Sequence, residues 1–350
     1  MPTPVDPAPH PPIYLTNDYL GTVPDLLSYG FANAADEPPF LVTNGEVFSG
    51  SVVSPANAYV WAVNNYTSIN YTPDLLMFSH EQEPVFSSWT SLQSADVRAE
   101  ALNRIAATFS EVRRAFGNDC QFLLEPYPLG GIYALKTGTS LADASLEDAI
   151  ANYQEINDLL RAPVSGFPNG FFSLFSGLAI NLYRRKYAAA DQQTYMRNQV
   201  ACARLSGLPL HMYLSPREAY SVSFAAPSGY TGTVTTSATQ RILDVNAFAA
   251  DLDFALRYGD TVTIWDSNFY GTSTASYATA VPTGGTGTLN SLAGNWGTGG
   301  VTQAAFVGQP GMTAGYGPSA NRAQWGDVVN LPWWTHLLNV MLARGYYTNP

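Results

Sequence analysis

From residue 13 onward, short apolar runs alternate with longer stretches whose apolar residues recur every three or four positions. That rhythm predicts repeated βα units around a mainly parallel sheet. The runs expected as strands are IYLT (13–16), FLVT (40–43), LLMFS (75–79), CQFLLE (120–125), FFSLF (171–175), LPLHMYL (208–214) and TVTIW (261–265). The strongest helix pattern is 94–116, with Ser94 as N-cap and Gly-Asn-Asp as its stop. Further helices are expected at 145–161, 191–205 and 243–257, and after Pro332.

Seven strands with interposed helices fit an α/β architecture of the (β/α)8 TIM-like barrel type with one weak or missing unit. The eighth strand is expected near 302–307. No G-x-G-x-x-G follows the first run and no Walker sequence occurs, which removes the usual reasons to prefer a doubly wound sheet. The predicted organisation is a Pro-rich extended arm over 1–12, then one barrel over 13–350. Two Gly/Thr/Ser-rich stretches, 222–240 and 267–324, read as insertions or a small β excursion at one rim.

Composition narrows the partners. Charged residues make up only 12% of the chain and the net charge is −11, with no Lys/Arg run, so nucleic acid and anionic lipid are not expected partners. No 18-residue apolar window appears, so no membrane span is expected, and the N-terminus has no signal-peptide pattern. Low charge with 21 Tyr suits an extracellular or virion-associated protein, with the arm as a route to homo-oligomer or virion assembly. Cys120 and Cys202 are expected as reduced, buried thiols. The four His show no H-x-x-H or H-E-x-x-H spacing, so no metal is expected, and with no phosphate loop no cofactor is expected either.

In a parallel barrel the strand C-termini and the following loops form the site. Here those ends carry Asn17 and Asp18, Asn44, then His80, Glu81, Gln82 and Glu83, then Glu125 and Tyr127, Tyr213 with Arg217 and Glu218, and Trp265 with Asp266. Carboxylates with aromatics suit a polysaccharide or cell-surface glycan: a ring packs on the apolar face of a pyranose while carboxylates bind its hydroxyls. Glycosidic cleavage also needs two carboxyl groups, one protonated and one ionised. If Glu81 and Glu83 face one cavity, their repulsion would keep one protonated. The YRRKY stretch (183–187) reads as a solvated helix face, and Trp333 and Trp334 as buried anchors.

These residues resemble the clan of retaining (β/α)8 glycoside hydrolases that includes cellulases, β-mannanases and β-xylosidases. LLMFSHEQEP is similar to that clan's fourth strand, which ends in Asn-Glu-Pro; Gln82, Glu83 and Pro84 take those places, and the resemblance implies Glu83 as acid/base. GLPLHMYLSPRE resembles the seventh strand, but Leu214 stands where the nucleophilic Glu belongs, with Glu218 four residues on. TVTIWDS resembles the eighth, with Trp265 as the sugar-stacking ring. Counting strands from the N-terminus gives a second register: LLMFS is third, Glu125 ends the fourth strand and Asp266 follows the seventh, so the catalytic pair becomes Glu125 and Asp266. The local pattern favours the Glu83 register. His80, Glu81, Gln82, Tyr127, Tyr213 and Trp265 are the expected substrate contacts. The implied activity is O-glycosyl hydrolysis; the alternative is an inactive structural or glycan-binding barrel of a larger assembly such as a phage tail.

Overall fold

The computed structural model describes residues 3–4, 10–16, 22–32, 40–42, 47–50, 52–65, 73–79, 83–86, 88–128, 141, 143–184, 189–216, 222–225, 233–236, 243–265, 287–288, 329 and 331–348. Seven parallel strands form one sheet: β1 (Ile13–Thr16), β2 (Phe40–Val42), β3 (Leu75–Ser79), β4 (Gln121–Glu125), β5 (Gly177–Asn181), β6 (Leu210–Leu214) and β7 (Thr261–Trp265). Between and after them run α1 (Pro55–Asn65), α2 (Ala95–Phe116), α3 (Leu146–Arg161), α4 (Ala189–Arg204), α5 (Val245–Tyr258) and α6 (Pro332–Ala343).

The sheet order is β2-β3-β4-β5-β6-β7-β1, so each strand from β2 onward lies beside its successor and the last returns to the first. This is barrel order, with β1 and β2 unpaired to one another among the described residues. Val262 to Trp265 pair directly with Ile13 to Thr16. That contact occupies the seam where an eighth strand would sit, so the sheet is seven-stranded there; residues 302–307 lie outside the described residues. In this sheet LLMFS is the third strand and Glu125 ends the fourth.

Local sequence explains most of these elements. The α2 helix starts where Ser94 Oγ accepts from Val97 N at 3.3 Å and ends at Gly117, whose φ of 69° closes the last turn. Its Ala101, Leu102, Ile105, Phe109, Val112 and Phe116 form one buried stripe at helical spacing. Ser145 and Asp244 cap α3 and α5 in the same way. The strands are buried on both faces and so read as unbroken apolar runs. In β4, Phe122 and Leu124 join the large outer core under the helices, where Phe122 stacks on Phe109 with centroids 3.6 Å apart. Leu123 faces the opposite way, into a smaller inner cluster with Met77, Ala179 and Tyr213.

One strand is misplaced by the sequence pattern. FFSLF is a 3-10 turn over Phe171–Leu174, and the fifth strand follows it at GLAIN. The turn's aromatics are core, not ladder: Phe171 packs edge-on against Phe86 and Phe172 against Tyr127. Gly177 opens the true strand because a Cβ there would lie 2.8 Å from the His211 ring and 3.0 Å from Leu123.

Two described parts of the N-terminal segment meet the C-terminal residues. Thr3–Pro4 pairs antiparallel with Tyr347–Thr348, and Tyr346 Oη donates to Pro11 O at 2.7 Å. The first insertion contributes Val222–Ala225 and Thr233–Thr236, and the second Gly287–Thr288, to a separate three-stranded sheet. Both cysteines are free and buried, and burial pushes the Cys202 thiol up to about 12. Trp333 and Trp334 are buried under α6, as anchors. No described helix is long and apolar enough to cross a membrane.

Candidate active site

The alternation that sends Phe122, Leu178, Met212 and Val262 outward to the helices turns their neighbours in sequence to the concave face. At the C-terminal ends of the strands this face receives Ser79 from β3, Glu125 from β4, Asn181 from β5, Tyr213 from β6, Thr263 and Trp265 from β7, and Tyr14 from β1. Ladder pairing sets them side by side. Ser79 is opposite Glu125, Asn181 opposite Tyr213, and Thr263 bridges Tyr213 and Tyr14.

Tyr213 sits at the middle of this group. It is 4% exposed, and its hydroxyl has no hydrogen-bond partner among the described residues. Burial pushes that hydroxyl well above the ordinary tyrosine range; the neighbouring Thr263 hydroxyl pulls the other way, and Tyr183, Glu125 and Tyr14 add to the rise. A buried donor without a partner is costly, so an acceptor brought into the concavity would be bound at little further desolvation. Glu125 is half-buried beside it.

The same face carries an aromatic platform. Tyr183 and Trp265 stack with ring centroids 5.6 Å apart and planes at 16°, and Trp265 is 39% exposed. Tyr183 is held by the chain on both sides. Its N–H donates to Asn181 Oδ1 at 3.0 Å, and the next residue, Arg184, is buried with Nη1 at 3.1 and 3.2 Å from the two Asp251 oxygens on α5. Burial raises the Asp251 carboxyl to about 6, against the downward pull of Arg184. The YRRKY stretch therefore is no solvated helix face at Tyr183 and Arg184: it carries the platform and a buried ion pair.

Below this ring of residues, His211 closes the concave face. Its Nδ1 is 2.8 Å from Thr261 Oγ1, its ring covers Gly177, and burial lowers it to about 4, so it is neutral near pH 7.

Glu83 is placed elsewhere. It is 0% exposed, Oε1 accepts from Val53 N at 2.8 Å, and Oε2 is 2.9 Å from Arg104 Nη2 on α2. Both oxygens are thus engaged, one by the backbone of a short hairpin ahead of α1 and one by α2. Tyr127 is also fully buried, edge-on to Tyr153 of α3 and to Phe172, so it packs in the outer core and does not line the concavity. Leu214 points into that same core, which explains its apolar character. His80, Glu81, Gln82, Glu218 and Asp266 lie outside the described residues, as do Asn17, Asp18, Asn44 and Arg217. Of the expected site residues, Glu125, Tyr213 and Trp265 are brought together. Tyr183, Asn181 and Thr263 were not expected; their only signal was the period-2 alternation in β5 and β7, hidden at β5 by the misplaced strand.

Among the described residues no group of three or more His, Cys, Asp or Glu could hold a metal ion. No protein-family model and no curated protein matches the chain. Among solved structures it is similar to bee venom hyaluronidase, at 10% identity over 75% of this chain and 81% of that one, with a TM-score of 0.41. It is also similar to bee venom hyaluronidase in complex with a hyaluronic acid tetramer, at 12% identity over 73% and 79% of the two chains, with a TM-score of 0.38. Likeness at these scores shows neither a family nor what this chain acts on.

Proposed function

We propose that the concave mouth of the sheet binds a polysaccharide and hydrolyses it, as a glycoside hydrolase-like site with Glu125 as acid/base. The observation that carries this reading is one grouping: a half-buried carboxylate at the end of β4, a buried tyrosine hydroxyl without a partner beside it, and an exposed Tyr183–Trp265 stack on the same face. The stack supplies an apolar plane for the C–H face of a sugar ring. Tyr213 and Asn181 supply polar atoms for its hydroxyls. Glu125, next to low-dielectric tyrosine surface, is placed to hold or release a proton at a glycosidic oxygen.

Glu83 is assigned a structural role, because its two oxygens already serve Val53 N and Arg104. The second carboxyl group is assigned to Asp266, the next residue after Trp265 in the chain. A second reading is a barrel that binds glycan without cleaving it, as a module of a larger assembly; it is favoured by Glu125 being the one carboxylate at a strand end of the sheet among the described residues.

The test separates the two. Wild type, Glu125→Gln and Trp265→Ala are assayed for reducing-end release and for binding on a panel of soluble polysaccharides. Hydrolysis lost by about 100-fold or more in Glu125→Gln, with binding retained and with binding lost in Trp265→Ala, supports the assignment. Cleavage unchanged in Glu125→Gln overturns it. Wild-type binding without any cleavage selects the second reading.

A further inference from the structure

Outside the sheet, the helical layer carries a feature that the concave site does not use. Helices α4 and α5 part to leave an open groove of about 610 Å3. Its sides present the exposed Arg197, Arg204 and Arg257, and its floor includes the small Ala201 and Ala250. The groove's carboxylate, Asp253, is already neutralised by Arg257 at 3.2 Å and Arg344 at 2.5 Å. In a chain of net charge −11, this is a local concentration of positive charge.

The helix packed on the other side of α4 has the opposite character. On α3, Glu147, Asp148 and Asp158 are exposed and Glu155 is half-buried, while its one basic residue, Arg161, lies at the far end. The charges also match in height. On two 16-residue helices that run the same way, Arg197 and Arg204 lie in the second half of α4, and Glu155 and Asp158 in the second half of α3.

We propose that this face forms a two-fold dimer in which α3 of each copy lies in the α4/α5 groove of the other and runs the same way as those helices. An acidic strip beside a basic groove on one surface is self-complementary about a two-fold axis, since the same rotation brings each strip onto the other's groove. Small floor residues let a helix approach closely, as in helix-in-groove recognition. Three helices side by side, each about 10 Å wide and about 24 Å long, cover roughly 700 Å2, close to the ~800 Å2 per partner of a standard interface.

The experiment uses the full chain and sedimentation velocity across a concentration series. Wild type is expected to dimerise, with the dissociation constant rising as salt goes from ~0.05 M to ~0.5 M. Two variants, Arg197→Glu with Arg204→Glu and Glu155→Arg with Asp158→Arg, each face like charge with like and are expected to weaken self-association by about 10-fold or more. Mixed together they restore both contacts, so the mixture is expected to dimerise. Circular dichroism melts check that both variants fold; if either does not, the salt dependence of wild type still decides. A monomeric wild type at all concentrations overturns the proposal, as does a salt-insensitive dimer, a dimer unmoved by both variants, or a mixture that stays monomeric.

Discussion

Replacing His211 by Gln tests whether the inner face under the site is as dry as its geometry indicates. The imidazole lies over Gly177 and against the Thr261 hydroxyl, and burial holds it near 4, with Asp260 pulling the other way. In the unfolded chain it titrates near ~6.5. A histidine lowered on folding is neutral in the native state. The unfolded state therefore binds the extra proton between these two values, and stability falls as pH drops through that window. Integrating across it, the native state loses about 2 kcal/mol between pH 7 and pH 5, and about 3 kcal/mol by pH 4. Asp251, raised to about 6, acts in the opposite sense: its contribution is present below the unfolded carboxylate value and is lost as pH rises through about 6. Because both proteins contain Asp251, that part cancels in their difference. The assay is urea unfolding of wild type and His211→Gln at pH 7, 5 and 4. Glutamine keeps a polar partner for Thr261 without titrating, so the variant is expected to lack this acid loss. Parallel losses in the two proteins would refute the dry inner face.

Two further substitutions bear on the site's supports. Glu83→Gln is expected to cost about 2–3 kcal/mol in stability, because Arg104 and Val53 N lose a charged partner, while the hydrolysis proposed for Glu125 stays within about 2-fold in the folded protein. Chemical unfolding together with polysaccharide cleavage separates the two effects, and a folded variant without activity would return the acid/base role to Glu83. Arg184→Met leaves Asp251 buried without its cation and is expected to cost about 3–5 kcal/mol, much of it recovered when Asp251→Leu is added. Thermal melts of the single and double variants check this; a single variant as stable as wild type would show that the ion pair does not secure the chain behind Tyr183.

Much of the scaffold is legible in the chain alone, because its determinants are local. Ser94, Ser145 and Asp244 cap helices whose stripes repeat at 3.6 residues, and LLMFS and TVTIW are apolar runs of strand length. FFSLF fails that reading because an aromatic run has the same composition whether it forms a ladder or plugs a core. Only the contacts of Phe171 and Phe172, and the ring pressing on Gly177, distinguish the two.

The site divides in the same way. That Glu83, Glu125, Tyr213 and Trp265 stand at strand ends follows from sequence order. Which of them share a face does not, because that depends on the register between strands far apart in the chain. The pairing of β7 with β1 set the strand count, the Val53 amide and Arg104 claimed Glu83, and side-chain alternation turned Glu125 and Tyr213 inward while sending Leu214 out. Sequence determined the local elements through nearest-neighbour physics. The tertiary structure alone decided which carboxylate faces the concavity, since that choice is made by partners from 21 to 30 residues away for Glu83 and by the winding of the whole sheet for Glu125.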